Sequence, residues 1–141
     1  MSGSAVYRAE VRVVAPVQDT EVPDRVEDAV RNLFPDAEFE REDGRIVGRT
    51  HNLSEFSERL HEQAILDTAR EQFRAEQYGD AIHFDLKKLA AFQGAVNFAV
   101  GNEDELGDLQ VRIAVEEPSV EEFIDMVAPP TEDGEPTEDP F

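Results

Sequence analysis

The dipeptide Asp43-Gly44 is the feature that most constrains how this chain folds. It separates two short strand-like stretches between residues 37 and 50, which predicts a hairpin closed by a two-residue type I′ turn with positive φ at both residues. Because a two-residue loop fixes which residues pair, Phe39 and Ile46 are expected to point towards the core. The opposite face is expected to carry cross-strand ion pairs among Glu38, Glu40, Glu42, Arg45 and Arg49.

The other apolar patterns predict the remaining elements of one α+β domain. Strands are expected at 7–17, 81–86 and 109–115, and a turn followed by a further strand at 87–100. Helices are expected between Pro23 and Pro35, from Asn52 or Ser54 to about Gly79, and after Ser119. The predicted order is β-α-β-β-α-β-β-β-α, which favours a mostly antiparallel sheet with helices packed on one face.

The C-terminal residues differ in composition from the rest of the chain. Residues 129–141 read PPTEDGEPTEDPF, with four prolines, five acidic residues and no apolar periodicity. Such a segment cannot bury enough apolar surface to fold by itself. We therefore expect residues 1–128 to form a single domain and residues 129–141 to form a disordered acidic tail.

The charge balance indicates the salt concentration at which the protein works rather than the kind of partner that it binds. The chain has a formal net charge of −20, with 33 acidic residues against eleven arginines and two lysines. An acidic surface that avoids Lys is expected of a halophilic protein, because multimolar salt screens the repulsion between carboxylates. The alternative is that the acidic residues serve a specific interaction, either as a binding tail or as the surface that a cationic partner recognises. On the halophilic interpretation, the negative charge does not exclude RNA as a partner.

No sequence pattern points to catalysis or to a bound cofactor. There is no cysteine, no Walker-type loop and no Gly-x-Gly-x-x-Gly. His61-Glu62 begins like a metalloprotease motif, but Ile65 occupies the place of its second histidine. We therefore expect no enzymatic activity, no metal and no cofactor. The first residues, MSGSAVYRAE, contain no apolar region of the kind found in signal peptides, and no apolar run reaches membrane-spanning length. We therefore expect a cytoplasmic location without membrane contact.

The stretch 83–98, HFDLKKLAAFQGAVNF, is the most unusual part of the sequence. It contains both lysines, Lys87 and Lys88, and it mixes the amides of Gln93 and Asn97 with phenylalanines. Lysine can contact phosphate, amides can hydrogen-bond base edges, and aromatic rings can stack on unpaired bases. The alternative is a structural hairpin whose phenylalanines belong to the core and whose lysines end a turn.

Three segments together resemble a family of small archaeal proteins described as predicted RNA-binding and sometimes as a predicted exosome subunit. They are VRVVAPVQDTEVPDRVEDAVRNLFPDAEFE at 11–40, EQAILDTAR at 62–70 and FDLKKLAAFQGAVNF at 84–98, and the resemblance covers nearly all of residues 7–127. It implies a fold like that of a large-subunit ribosomal protein that binds the small ribosomal RNA, with a curved sheet backed by helices. By position, it also implies family-like polar residues at Gln63, Asp67, Arg70, Lys88, Gln93 and Asn97.

We therefore expect a non-enzymatic RNA-associated protein, an accessory to RNA processing or to ribosome-related assembly. Its expected RNA site comprises Gln63, Arg70, Lys87, Lys88, Gln93 and Asn97, helped by arginines such as Arg8, Arg12 and Arg49. The alternative is a protein-interaction module, a homodimer or a subunit of a complex, that makes no RNA contact. Structural roles stay open for some of these residues, because Asp67 and Arg70 can pair with each other at i, i+3.

Overall fold

A computed structural model describes residues 8–99, 107–117, 119–132 and 135–136 of the chain. The strands in these ranges are β1 (Arg8–Pro16), β2 (Glu38–Glu42), β3 (Arg45–Thr50), β4 (Gln77–Tyr78), β5 (Ala81–Lys87), β6 (Asp108–Glu117), β7 (Thr131–Glu132) and β8 (Glu135–Pro136). The helices are α1 (Pro23–Leu33), α2 (Ser54–Glu62), α3 (Leu66–Ala75), α4 (Lys88–Phe92) and α5 (Val120–Val127). None of these helices is long and apolar enough to cross a membrane.

Six strands form one antiparallel sheet in the order β2-β3-β1-β6-β5-β4, with β1 and β6 at its centre. Alternate residues of the central strands are buried, among them Val11 and Val13 of β1 and Ile113 of β6. The helices pack on this side of the sheet. The predicted α+β class, the antiparallel sheet and the placement of the helices on one face are therefore confirmed. We call the opposite side, which bears Arg12 and Arg112, the outer face.

Phenylalanine rings fill the space between the sheet and the helices. Phe56 of α2 lies between Phe34, at 5.3 Å between ring centroids, and Phe84 of β5, at 5.7 Å. Phe73 of α3 and Phe98 complete the cluster, with Phe73 and Phe84 at 5.2 Å and Phe84 and Phe98 at 5.6 Å. Aromatic rings bury large apolar areas, so this cluster fixes the helices against β5.

The pairing predicted for the hairpin is confirmed at every position. β2 and β3 pair from Glu42 opposite Arg45 to Glu38 opposite Arg49, and Ile46 belongs to the core with Phe39 packed against it. The turn type is different, because only Gly44 has a positive φ, of 78°, whereas Asp43 does not. Loop length and strand pattern therefore fixed the register without the type I′ geometry.

The long helix expected from residue 52 or 54 to 79 is divided in two at Ala64. Ala64 has a φ of 57°, its amide donates to His61, and the amide of Ile65 donates to Leu60 over 3.1 Å. These bonds form a Schellman ending, a motif in which glycine usually occupies the left-handed position. Alanine concealed this boundary because it is the residue that most favours a continuous helix.

The strand expected within 87–100 is also replaced. Residues Lys88–Phe92 form the short helix α4. Among the described residues, the returning segment pairs with β5 only around Phe98, through the bridge to Leu86 and the bonds from Lys87 to Asn97 and from Ala99 to Asp85. Lys, Leu and two alanines have high helix propensity, which outweighs the weak alternation of the phenylalanines. The 87–97 segment is therefore a helical turn followed by an extended return, and not a hairpin.

Most of the predicted acidic tail lies outside the described residues. In the part that the structure describes, Thr131 pairs with Pro136 and Glu132 with Glu135. The boundary at residue 128 and the disorder of residues 129–141 stay predictions.

Candidate nucleic-acid interface

Lys88 is directed into the protein, although it was expected to contact RNA. Its side chain has 0% exposure, and its Nζ donates to Glu21 Oε1 over 2.8 Å and to the carbonyl of Pro16. Glu21 is also buried, with 7% of its side chain exposed. In this conformation the ammonium of Lys88 connects α4 to the loop after β1 and presents no surface to a ligand.

Gln63 and Arg70 also have structural partners. Gln63 makes two hydrogen bonds to the backbone of Val96, donating to its carbonyl over 2.7 Å and accepting from its amide over 2.8 Å. Arg70 donates to Asp125 and to the carbonyl of Ala128, both at 2.8 Å. Its side chain is only 14% exposed. Gln63 therefore holds the segment after α4, and Arg70 holds the end of α5.

Lys87, Gln93 and Asn97 remain accessible. Lys87 is half-buried at the end of β5, and its side chain makes no hydrogen bond or ion pair with a described residue. Gln93 and Asn97 are exposed in the segment that follows α4. Lys87 follows the alternation of β5 and lies on the outer face, as Asp85 and His83 do. The two adjacent lysines thus point to opposite sides of the protein.

A row of basic side chains crosses the centre of the outer face. Arg12 of β1 pairs with Arg49 of β3 on one side and with Arg112 of β6 on the other. Arg112 in turn pairs with His83 of β5. Residues opposite each other in antiparallel strands have Cβ atoms about 5 Å apart, so these four side chains are immediate neighbours. We call Arg49, Arg12, Arg112 and His83 the arginine row.

The centre of the arginine row has no counter-charge in contact with it. Arg49 lies 3.4 Å from Glu40, whereas Arg12 and Arg112 form no ion pair or hydrogen bond with any described residue. Acidic residues do lie near the row on the same face, among them Glu10, Glu38, Glu40, Asp85 and, beside His83, Glu76. Like charges directly opposite each other destabilise a sheet. Among so many carboxylates, two facing arginines without a partner mark a candidate binding site.

An aromatic side chain lies beside the His83 end of the arginine row, at the edge of the sheet. Tyr78 of β4 lies opposite Ala81, and its ring contacts that of His83 edge to face at 5.5 Å. The Tyr78 side chain is 63% exposed, and its hydroxyl donates to Glu76 over 3.1 Å. This hydrogen bond and the negative charge of Glu76 raise the pKa of Tyr78 above its ordinary value.

Reasoning from the sequence included Arg12, Arg49 and Lys87 in the site but not Arg112, His83 or Tyr78 as contacts. The alternation of side chains along a strand predicts which face each of these residues lies on. Only the order and register of strands β3, β1, β6 and β5 bring them together into one row. Within the described ranges, no group of three or more His, Cys, Asp or Glu could hold a metal ion.

The chain resembles archaeal proteins along most of its length. It is 37% identical over 136 residues to a UPF0201 protein of Thermococcus onnurineus, which covers 92% of this chain and 98% of that protein. A UPF0200/UPF0201 protein of Archaeoglobus fulgidus is 35% identical over 131 residues, or 92% of this chain, but the match spans only 40% of that longer relative. No family model matches.

Solved structures show the same fold. The crystal structure of a UPF0201 protein from Methanococcus jannaschii matches with a TM-score of 0.85 and 33% identity, covering 92% of this chain and 99% of that one. A protein from Archaeoglobus fulgidus described by the family model DUF54 matches with a TM-score of 0.64 at 23% identity, over 88% of this chain and 98% of that one. The second likeness concerns the fold alone. None of these names states an activity.

Proposed function

The chain belongs to the UPF0201 family of archaeal proteins, and from that premise we propose that it is a non-enzymatic, cytoplasmic RNA-associated protein. The proposed role is that of an accessory to RNA processing, for example with the exosome, or to ribosome-related assembly. The proposed contact surface is the outer face, centred on the arginine row. The observation that supports this proposal is the facing pair Arg12 and Arg112, which no described acid neutralises.

The chemistry of guanidinium suits this assignment. Arginine stays charged at all physiological pH values and offers a planar set of donors that matches the oxygens of phosphate. Three arginines side by side on rigid strands would present these donors at the spacing of the strands, about 4.8 Å. Lys87, on the same face, would add a further contact with phosphate. Gln93 and Asn97 are retained in the proposed interface as exposed amides next to the end of β5.

High salt fits both the composition and the arginine row. We propose that the protein is halophilic, since 33 acidic residues accompany only two lysines. At about 1 M salt the screening length is near 3 Å, which weakens the repulsion within the row. High salt also reduces the free energy gained when counterions are released, which drives RNA binding at low salt. RNA contacts at high salt would then depend on hydrogen bonds and stacking.

The test is RNA binding by the double variant Arg12→Gln/Arg112→Gln. Fluorescence anisotropy with a labelled random-sequence RNA of about 20 nucleotides would be measured from about 0.2 M to 2 M KCl. We expect the affinity at low salt to fall at least about tenfold, because two contacts with phosphate are lost. The slope of log affinity against log salt should also decrease by about 2.

The matched control is Arg25→Gln/Arg74→Gln, which removes the same charge from exposed positions on α1 and α3. It should bind RNA nearly as the parent does. An equal loss of RNA affinity in both double variants would show that the effect comes from net charge alone. This result would contradict a site on the outer face. Absence of RNA binding by the parent, together with a molecular mass that rises with concentration in light scattering, would favour the alternative of a self-associating interaction module.

A further inference from the structure

We infer that the outer face is built for single-stranded RNA, with an unpaired base stacked on Tyr78 and the phosphates beside it on the arginine row. This inference rests on the proposed RNA association and names the kind of RNA that the surface selects. It is carried by the position of Tyr78, which is exposed at the edge of the sheet and contacts His83, the last member of the arginine row.

Tyr78 is held in place although it is exposed. It belongs to the two-residue edge strand β4, where it pairs with Ala81 across a turn that contains Gly79. The His83 ring contacts it at 5.5 Å with an interplanar angle of 71°, and its hydroxyl is bonded to Glu76. A ring positioned in this way loses little conformational freedom when a base stacks on it, which favours binding.

Short side chains follow Tyr78 across the sheet. The row that contains Tyr78 continues across the sheet through Ala81 and Ala114 and ends at Glu10. Ala81 is buried and Ala114 is half-buried, so this row carries no long side chain between Tyr78 and Glu10, whereas the neighbouring row carries the long side chain of Arg112 opposite His83. This alanine row and the arginine row therefore lie side by side, one suited to a base and the other to its phosphate.

The charges favour this division between the two rows. The carboxylate of Glu10 borders the alanine row and repels phosphate, whereas Arg112 and Arg12 attract it from the adjoining row. A paired duplex keeps its base faces inside the helix, so it can offer Tyr78 only its terminal base pairs. Stacking on aromatic side chains is the means by which proteins bind unpaired nucleotides without reading their sequence.

The test compares one RNA in two states. A labelled strand of about 12 nucleotides, without self-complementarity, would be measured alone and annealed to its complement, at about 0.2 M and 2 M KCl. The parent should bind the single strand more tightly than the duplex at both salt concentrations. Tyr78→Ala should weaken single-strand binding about tenfold at both, since stacking is screened far less than charge contacts are.

Two variants control for structure and for exposed apolar surface. Tyr78→Phe keeps the ring and loses the bond to Glu76, so its affinity should stay within about twofold of the parent. Leu89→Ala shortens another exposed apolar side chain, which is 50% exposed on α4, and should have no effect on binding. Circular dichroism melts of each variant would report the folded fraction at the temperature of the assay.

The outcomes separate this inference from the proposed function. If Arg12→Gln/Arg112→Gln binds weakly while Tyr78→Ala binds as the parent does, RNA association stands and the stacking site is wrong. Duplex binding as tight as single-strand binding would also overturn the inference. If neither variant changes RNA binding, both the inference and the proposed interface fail.

Discussion

The ammonium of Lys88 lies 2.8 Å from the carboxylate of Glu21, and both side chains are buried. One of the two lysines in the chain is thus part of an internal ion pair between α4 and the loop that follows β1. The second carboxylate oxygen of Glu21 is buried without a hydrogen-bond partner. The amide of Gln18 donates to Oε1 of Glu21 over 2.9 Å, and Lys88 also donates to the carbonyl of Pro16. These bonds do not cancel a charge, so removing either member of the ion pair leaves an uncompensated charge inside the protein.

Replacing Lys88 should therefore reduce stability before it affects any ligand. We expect Lys88→Met to lower the free energy of unfolding by about 3–5 kcal/mol, because Glu21 would stay buried without its partner. The double variant Lys88→Met/Glu21→Leu should recover much of this loss. Thermal melts of the three proteins at one salt concentration would measure both effects. A single variant within about 1 kcal/mol of the parent would show that the pair contributes little.

Ala64 occupies a backbone conformation that favours glycine. Its φ of 57° ends α2, and the left-handed region costs a non-glycine residue about 1–2 kcal/mol. After allowing for the greater freedom of glycine in the unfolded chain, we expect Ala64→Gly to stabilise the protein by about 0.5–1 kcal/mol. Ala75→Gly, at the end of α3, is the matched control and should destabilise it. Urea unfolding of both variants measures the difference, and a loss of stability in Ala64→Gly would contradict the Schellman ending.

Gln63 holds Val96, a buried residue with 3% exposure, by donating to its carbonyl and accepting from its amide. Gln63→Ala would leave a backbone donor and a backbone acceptor unsatisfied, so we expect a loss of about 1–3 kcal/mol. The amide of Val96 should then exchange with solvent faster, which hydrogen exchange by NMR would detect. Gln93→Ala is the control, because Gln93 is exposed, and it should change stability by less than about 0.5 kcal/mol. Unchanged protection at Val96 would refute this role.

Tyr78 should ionise at higher pH than an ordinary tyrosine. Its hydroxyl donates to Glu76, and deprotonation would place a second negative charge beside that carboxylate, so the folded state raises the pKa of Tyr78. The stabilisation from this bond is therefore complete below about pH 10 and is lost as the pH rises through the folded-state pKa. Ultraviolet titration of a Tyr7→Phe variant would follow Tyr78 by itself, since the chain has two tyrosines.

Glu76→Gln provides the control for this titration. It keeps an acceptor for the hydroxyl but removes the charge, so the pKa of Tyr78 should return towards about 10. If Tyr78 titrates with the same midpoint in Glu76→Gln as in the protein that keeps Glu76, the hydrogen bond is not maintained in solution.

Local patterns in the sequence were sufficient for the strands and for the hairpin. The alternation in β1 and the length of the loop at Asp43-Gly44 act between near neighbours, so they fixed the buried residues and the pairing of β2 with β3 without knowledge of the rest. The local patterns did not predict that α2 ends before Ala64 or that residues 88–92 form a helix. In both places the outcome depends on small preferences of a few residues. A single alanine in a left-handed conformation has no sequence pattern of its own.

The candidate site depends on contacts between distant parts of the chain. The sequence by itself determined that Arg12 and Arg112 lie on the polar sides of their strands, because a strand alternates its side chains. It also restricted the lysines to two adjacent positions. Only the tertiary structure decided that β1 and β6 are neighbours, that Arg12 faces Arg112, and that Lys88 turns inward while Lys87 does not. Strand order and burial follow from the packing of the whole core, which no local pattern of residues specifies.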